Sequence, residues 1–178
     1  MHNLKTSAYL SLPAFEFGSK KKQADSGVRT LISDNPSIIL EVGDLGSLGQ
    51  LQTDAKLWLR DMPEVSPTPS KFVVSTHPLD LLQVQLVILL IIDPPLAPHS
   101  TLPRISLQLW RGISSAAAER DAQMVWDADW TNSATPLYIR ISDIFGQQVP
   151  DVYGDNDRVY LNTGVWRQQM IDSCALFL

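Results

Sequence analysis

One cysteine, three histidines and no apolar run longer than Leu86–Ile92 set the outer limits of this 178-residue chain. A single cysteine, Cys174, excludes an internal disulfide and fits a reducing compartment, where it reads as a small buried hydrophobe. His2, His77 and His99 lie far apart without ligand spacing, which argues against a zinc site. The run Leu86–Ile92 is much shorter than the roughly 20 residues that span a bilayer. Pro13 and Glu16 interrupt any signal-peptide core after Lys5. Positive charge is also scarce: 14 Lys and Arg face 19 Asp and Glu, so no broad field draws the chain to polyanions or an acidic membrane. There is no internal repeat. These limits describe an intracellular protein with no membrane role, and the 44% hydrophobic content is enough for one self-supporting core. A single domain over residues 1–178 is expected, with 1–19 an irregular or incomplete N-terminal piece.

The most informative stretch is Pro36–Leu59, PSIILEVGDLGSLGQLQTDAKLWL. Residues 37–43 are β-branched and apolar on both faces, the pattern of a central strand, yet they contain Glu41. A buried, unpaired carboxylate costs several kcal/mol, so a metal ion, a basic side chain such as Arg29 or Lys22, or solvent at the strand end must face it. Asp25 lies sixteen residues upstream, and a hairpin or short meander would bring the two carboxylates together. Ser47 and Gln50 have capping-box spacing, and Leu48, Leu51, Ala55, Trp58 and Leu59 recur on one helical face, predicting a helix over 48–61 that ends before Pro63.

Elsewhere the chain reads as strands over 24–32, 84–92, 105–110 and 137–141, with Asp143–Gly146 closing the last. The segment Phe72–Ser75 is a further apolar run, after a proline-rich loop over 63–70. Residues 112–134 are ambiguous, Ala-rich with Trp126 and Trp130 at helical spacing, and Asn162 or Thr163 can cap a final helix. The tryptophans read as core and rim aromatics. The acidic segments 127–129 and 151–157 lack the calcium-loop pattern, and Gly43, Gly46 and Gly49 lack the lysine of a phosphate loop.

The order of Asp25, a Pro-led strand ending Glu41-Val42-Gly43, a helix with Asp54-Ala55 and Trp58-Leu59, the apolar strand 84–92 and a strand closing on Leu109-Trp110 resembles the restriction-endonuclease-like PD-(D/E)XK superfamily. It looks most like the Uma2-like branch and related fungal proteins, and the likeness covers residues 20–146. The resemblance implies an α/β (α+β) fold with a mixed central β-sheet flanked by helices, and a metal-dependent nuclease activity, with a catalytically inactive binding module as the alternative. It implies Mg²⁺ or Mn²⁺ held by Asp25, Glu41 and the backbone carbonyl of Val42, hard oxygen donors suited to such ions. The motif lysine expected two positions after Glu41 is replaced by Gly43. Lys56, the sole lysine of the 48–61 helix, is the candidate for a migrated catalytic lysine, its plain reading being a solvated helix residue. Lys20, Lys21, Lys22 and Arg29 could hold a phosphate backbone beside Asp25, or form an ordinary solvated run. A homodimer is admitted as a partner, with nothing in the sequence that specifies one.

Overall fold

A computed structural model describes residues 6–9, 14–17, 19–30, 35–60, 84–93, 103–114, 117–126, 137–146, 149–154 and 157–161, with residues 164, 165, 168, 169 and 172 beyond them. Its centre is a six-stranded mixed sheet in the order β1-β4-β5-β6-β7-β8, formed by β1 (Thr6–Tyr9), β4 (Ser26–Thr30), β5 (Ile38–Gly43), β6 (Leu86–Asp93), β7 (Arg104–Ser114) and β8 (Ala117–Trp126). All neighbours are antiparallel except β5 and β6, which run parallel. A parallel pair needs a crossover, and helix α1 (Leu48–Arg60) lies in the connection between them. Two small ribbons complete the described strands: β2 (Phe15–Phe17) with β3 (Lys20–Lys22), and β9 (Tyr138–Arg140) with β10 (Arg158–Tyr160). A short helix, α2 (Ile141–Phe145), follows β9.

The sheet buries both faces, which explains the unbroken apolar run of β6. Val87, Leu89 and Ile91 point to one side with Ile39 and Trp110, where Leu51, Ala55, Trp58 and Leu59 of α1 cover them. Leu86 and Ile88 point to the other with Ile38, Ile105, Leu107, Leu109 and Leu137, against which Ile139 and Ile144 pack. The apolar stripe of α1 is therefore the one its spacing predicts, with Trp58 completely buried and Lys56 exposed. The helix start differs in detail: Asp44, rather than Gln50, pairs with Ser47, each side chain accepting from the other's backbone N–H at 2.8 and 3.0 Å.

One expectation, that 137–141 is a strand of the central sheet, is corrected, and one stretch ambiguous from sequence is decided. Residues 137–141 do not join the central sheet; Tyr138–Arg140 pairs with β10, and Ile141 opens α2. The reason is ionic. Buried Asp143 accepts from the Arg140 backbone N–H at 2.8 Å and from the guanidinium of buried Arg111 at 2.7 to 3.1 Å, fixing a helical turn where the strand would have continued. Arg111 also pairs with Asp121 and donates to the Tyr138 carbonyl at 3.0 Å, clamping this segment beside β7. The stretch decided is 112–134. Its first half is strand, because β7 continues to Ser114 and β8 folds back along it, with register shifts at Leu109/Trp110 and Gly112/Ser114. Cross-strand pairing with a buried neighbour outweighs the helical leaning of the alanines. The apolar run 72–75, the proline-rich loop, Trp130 and the first residues of the final helix lie outside the described residues, while 164, 165, 168, 169 and 172 are helical.

Trp58 joins helix to sheet, and Phe15 and Phe17 of the β2–β3 ribbon meet it edge-to-face at 5.5 and 5.1 Å. Trp58→Ala is expected to cost about 3 to 5 kcal/mol in unfolding free energy. Denaturant melts check this, and a loss below about 1 kcal/mol would contradict the packing described.

Candidate functional site

Alternation along β5 decides where Glu41 points. Ile39, Glu41 and Gly43 share the face covered by α1, so the carboxylate enters a helix–sheet interface and is only 4% exposed. Two donors meet it there. Trp58 Nε1 donates to Glu41 Oε1 at 2.6 Å, and Lys22 Nζ lies 3.1 Å from the same oxygen. Lys22, its side chain 17% exposed, also donates to Asp54 Oδ2 at 2.8 Å, while Gln50 Nε2 donates to Asp54 Oδ1. Lys22, one of the two basic side chains the sequence offered, thus faces Glu41, and it arrives from β3. Both contacts fall on Oε1, so neither occupies Oε2.

Asp25 stands immediately before β4. The antiparallel register of β4 with β5 ends at Ser26 opposite Leu40, so Asp25 comes just beyond it, at the level of Glu41 and Val42. Its Oδ2 accepts from the Val42 backbone N–H at 2.7 Å. In an extended strand a residue's N–H and C=O point to the same side, so the Val42 carbonyl also faces the edge where β4 has ended. Asp25 is thereby tied to Val42, the residue that follows Glu41 in β5. Together Asp25, Glu41 and Asp54 carry three carboxylates against the one ammonium of Lys22 between Glu41 and Asp54.

Burial raises the pKa of Glu41 above the ordinary carboxylate value; the Trp58 hydrogen bond and Lys22 oppose the rise, and the charge of Asp25 adds to it. Burial alone would depress the Lys22 ammonium. Its hydrogen bond to Asp54 and the charge of Glu41 outweigh that effect and raise its pKa.

The other residues named from sequence fall elsewhere. Lys56 Nζ sits 5.9 Å from the centre of the Trp110 ring, over β7, two strands away from Glu41. Lys21 is exposed and paired with Glu16 at 2.9 Å, and Arg29 lies within β4. Position 43 is crowded: a Cβ there would stand 2.5 Å from Ser47 Oγ and 2.8 Å from Leu51 Cδ1, so a lysine would require these two side chains at the start of α1 to shift. Sequence reasoning missed Asp54 and the polar role of Trp58. Their four-residue separation puts them on adjoining turns of one helical face, a signal that becomes useful only once α1 is known to cover β5.

Among the described residues no group of three His, Cys, Asp or Glu side chains is arranged to hold a metal ion. Carboxylates such as Asp25 and Glu41, with a main-chain oxygen such as that of Val42, are by their chemistry hard donors of the kind that Mg²⁺ or Mn²⁺ takes. No family model, curated protein or solved structure matches the chain. Among the described residues no helix is long and apolar enough to cross a membrane.

Two outcomes follow from the buried pair. Lys22→Met leaves Glu41 without its counter-charge and is expected to destabilise the fold by about 3 kcal/mol, a loss largely recovered in the Lys22→Met, Glu41→Gln double variant. A destabilised double variant would contradict the assignment of Lys22 as the counter-charge. In pH titrations, a carboxyl whose pKa is higher folded than unfolded stabilises most when protonated, so Glu41's contribution falls as pH rises from its unfolded value through its folded one. Lys22 has the complementary window: its contribution is complete below its unfolded value and is lost as pH rises through its raised folded value. Glu41→Gln removes the fall due to Glu41, so stability should rise more steeply, or drop less, with pH across the acidic range than in wild type, and an unchanged pH dependence there would count against a raised Glu41 pKa.

Proposed function

We propose that this chain is a metal-dependent phosphodiesterase with a restriction-endonuclease-like frame, acting on nucleic acid. The observation that carries the reading is the Asp25 to Val42 hydrogen bond, which holds Asp25 against β5 beside Glu41. Supporting it, the elements of the resemblance follow one another in the sheet: Asp25 and β4, β5, then β6 after α1, then β7, each strand beside the next. The charge balance points the same way, since three carboxylates and one ammonium leave two negative charges, the complement of a divalent cation.

In this reading Asp25, Glu41 and the Val42 carbonyl hold Mg²⁺ or Mn²⁺, and the ion supplies Lewis acidity and a more acidic bound water. The chain's own residues do the rest. Trp58 fixes the Glu41 carboxylate through Oε1, which aims its other oxygen. Lys22 supplies from β3 the positive charge that Gly43 cannot, and Asp54 holds that ammonium in place. Trp58, Phe15 and Phe17 form an apolar wall that keeps water from the buried side of the carboxylate. Lys21, with Lys20 and Arg29, is the basic segment proposed to face a phosphate backbone.

The same Lys22 to Glu41 pair favours a second reading, in which the ammonium permanently satisfies the carboxylate and the fold persists as an inactive interaction module. Calorimetric titration of Mn²⁺ separates the two. In the first case wild type takes up Mn²⁺ with measurable heat, its melting temperature rises with the metal, and labelled DNA or RNA is cleaved; Glu41→Gln loses all three while remaining folded. No heat and no cleavage by the wild type would eliminate the nuclease.

A further inference from the structure

The β9–β10 ribbon lies apart from the carboxylate site, and its pairing is unusual. Arg158 stands directly opposite Arg140, and Tyr160 opposite Tyr138. Because side chains alternate along a strand, these four residues share one face, while Ile139 between them packs toward the core. Like charges directly opposite are unfavourable in an antiparallel pair, so the arrangement calls for a compensating anion. Asp121 supplies part of it, pairing with Arg140 at 3.9 Å as well as with Arg111, and it does so from the Arg140 side. The Arg158 guanidinium lies over the Tyr138 ring at 4.2 Å, and Tyr138 and Tyr160 meet edge-to-face at 6.1 Å. All of β10 is exposed, Tyr160 at 59%.

This face offers the Arg140 and Arg158 guanidiniums to phosphates and the exposed Tyr160 ring to a planar ring at the same place, while Tyr138, with Arg158 and Arg111 over its ring, holds Arg158 in position. Charge alone would suit any anion; the exposed Tyr160 ring selects one whose apolar rings are uncovered. We infer that the Arg140, Arg158, Tyr138, Tyr160 face binds single-stranded nucleic acid, with phosphates on the arginines and a base on exposed Tyr160. In a duplex the bases are stacked on one another and their faces are closed to such a platform. The choice of polymer agrees with the nuclease reading of the carboxylate site, but the two stand on different residues and fail separately.

The test is fluorescence anisotropy with a labelled oligothymidylate and a duplex of equal length, in EDTA so that no cleavage interferes. Wild type is expected to bind the single strand in preference to the duplex, with affinity falling as salt rises. Arg158→Glu should weaken binding and reduce the slope against salt by about one charge or more. Tyr160→Ala should weaken it roughly 5- to 150-fold, the effect of losing one stacked base. Both positions are exposed, and unchanged melting temperatures would exclude unfolding as the cause; if either variant melts early, Arg158→Gln and Tyr160→Phe replace them, with Tyr160→Phe expected to retain binding. Glu41→Gln should bind as wild type does, so a protein that binds but never cleaves leaves this inference intact and removes only the nuclease. No binding by wild type at low salt, equal affinity for duplex and single strand, or affinities unaffected at both Arg158 and Tyr160 would overturn it.

Discussion

The burial of Glu41 in the central strand is the constraint around which this side of the molecule is organised. A carboxylate in a helix–sheet interface must be met by donors, and no neighbour on β5 can supply one, because Ile39 is apolar and Gly43 has no side chain. The donors come from α1, through Trp58, and from the β2–β3 ribbon, through Lys22. Satisfying one charge thereby fixes three elements in relation to one another. The same requirement explains why the ribbon, which pairs with no strand of the main sheet, is nevertheless held against Trp58 by Phe15 and Phe17.

The opposite face of the sheet contains a second buried ionic group, and the contrast shows why only one of them is a candidate for chemistry. Arg111 is surrounded by acceptors: Asp143 through two nitrogens, Asp121, and the Tyr138 carbonyl. Burial opposes its charge, but the bond to Asp143 and the charges of Asp143, Asp121 and Tyr138 together outweigh burial and strengthen its hold on the proton. Such a saturated cluster joins β7 to α2 and β9 and has little capacity left for a ligand. Around Lys22 one ammonium likewise serves two carboxylates, Glu41 and Asp54, and a third, Asp25, is held at Val42 close by. An excess of anionic oxygen at the end of a strand can accept a cation; a balanced pair has no electrostatic reason to.

Gly43 links fold and site. The start of α1 presses so closely on β5 that a Cβ at this position would collide with Ser47 and Leu51. A side chain on the strand here would displace Ser47 Oγ, which accepts from the Asp44 N–H, and so disturb the tight turn that brings the helix in. The positive charge at Glu41 enters instead from the other side, and β3 is the element that reaches it.

The sequence by itself determined the elements whose pattern is strong and local: the central strand, α1 with its buried stripe, the apolar β6 and the alternating start of β7. It also determined that Glu41 needed a partner, since desolvating a carboxylate is costly in any fold. Tertiary structure decided which partner, because Lys22, Asp54 and Trp58 converge only through strand register and helix placement, which no short-range pattern encodes. It decided likewise against the expected strand at 137–141 and the helical leaning of 112–134. Arg111, thirty-two residues from Asp143, turns one into a capped helix, and β7 recruits the other as its neighbour. In each case a long-range charge or cross-strand ladder outweighed a local preference worth less.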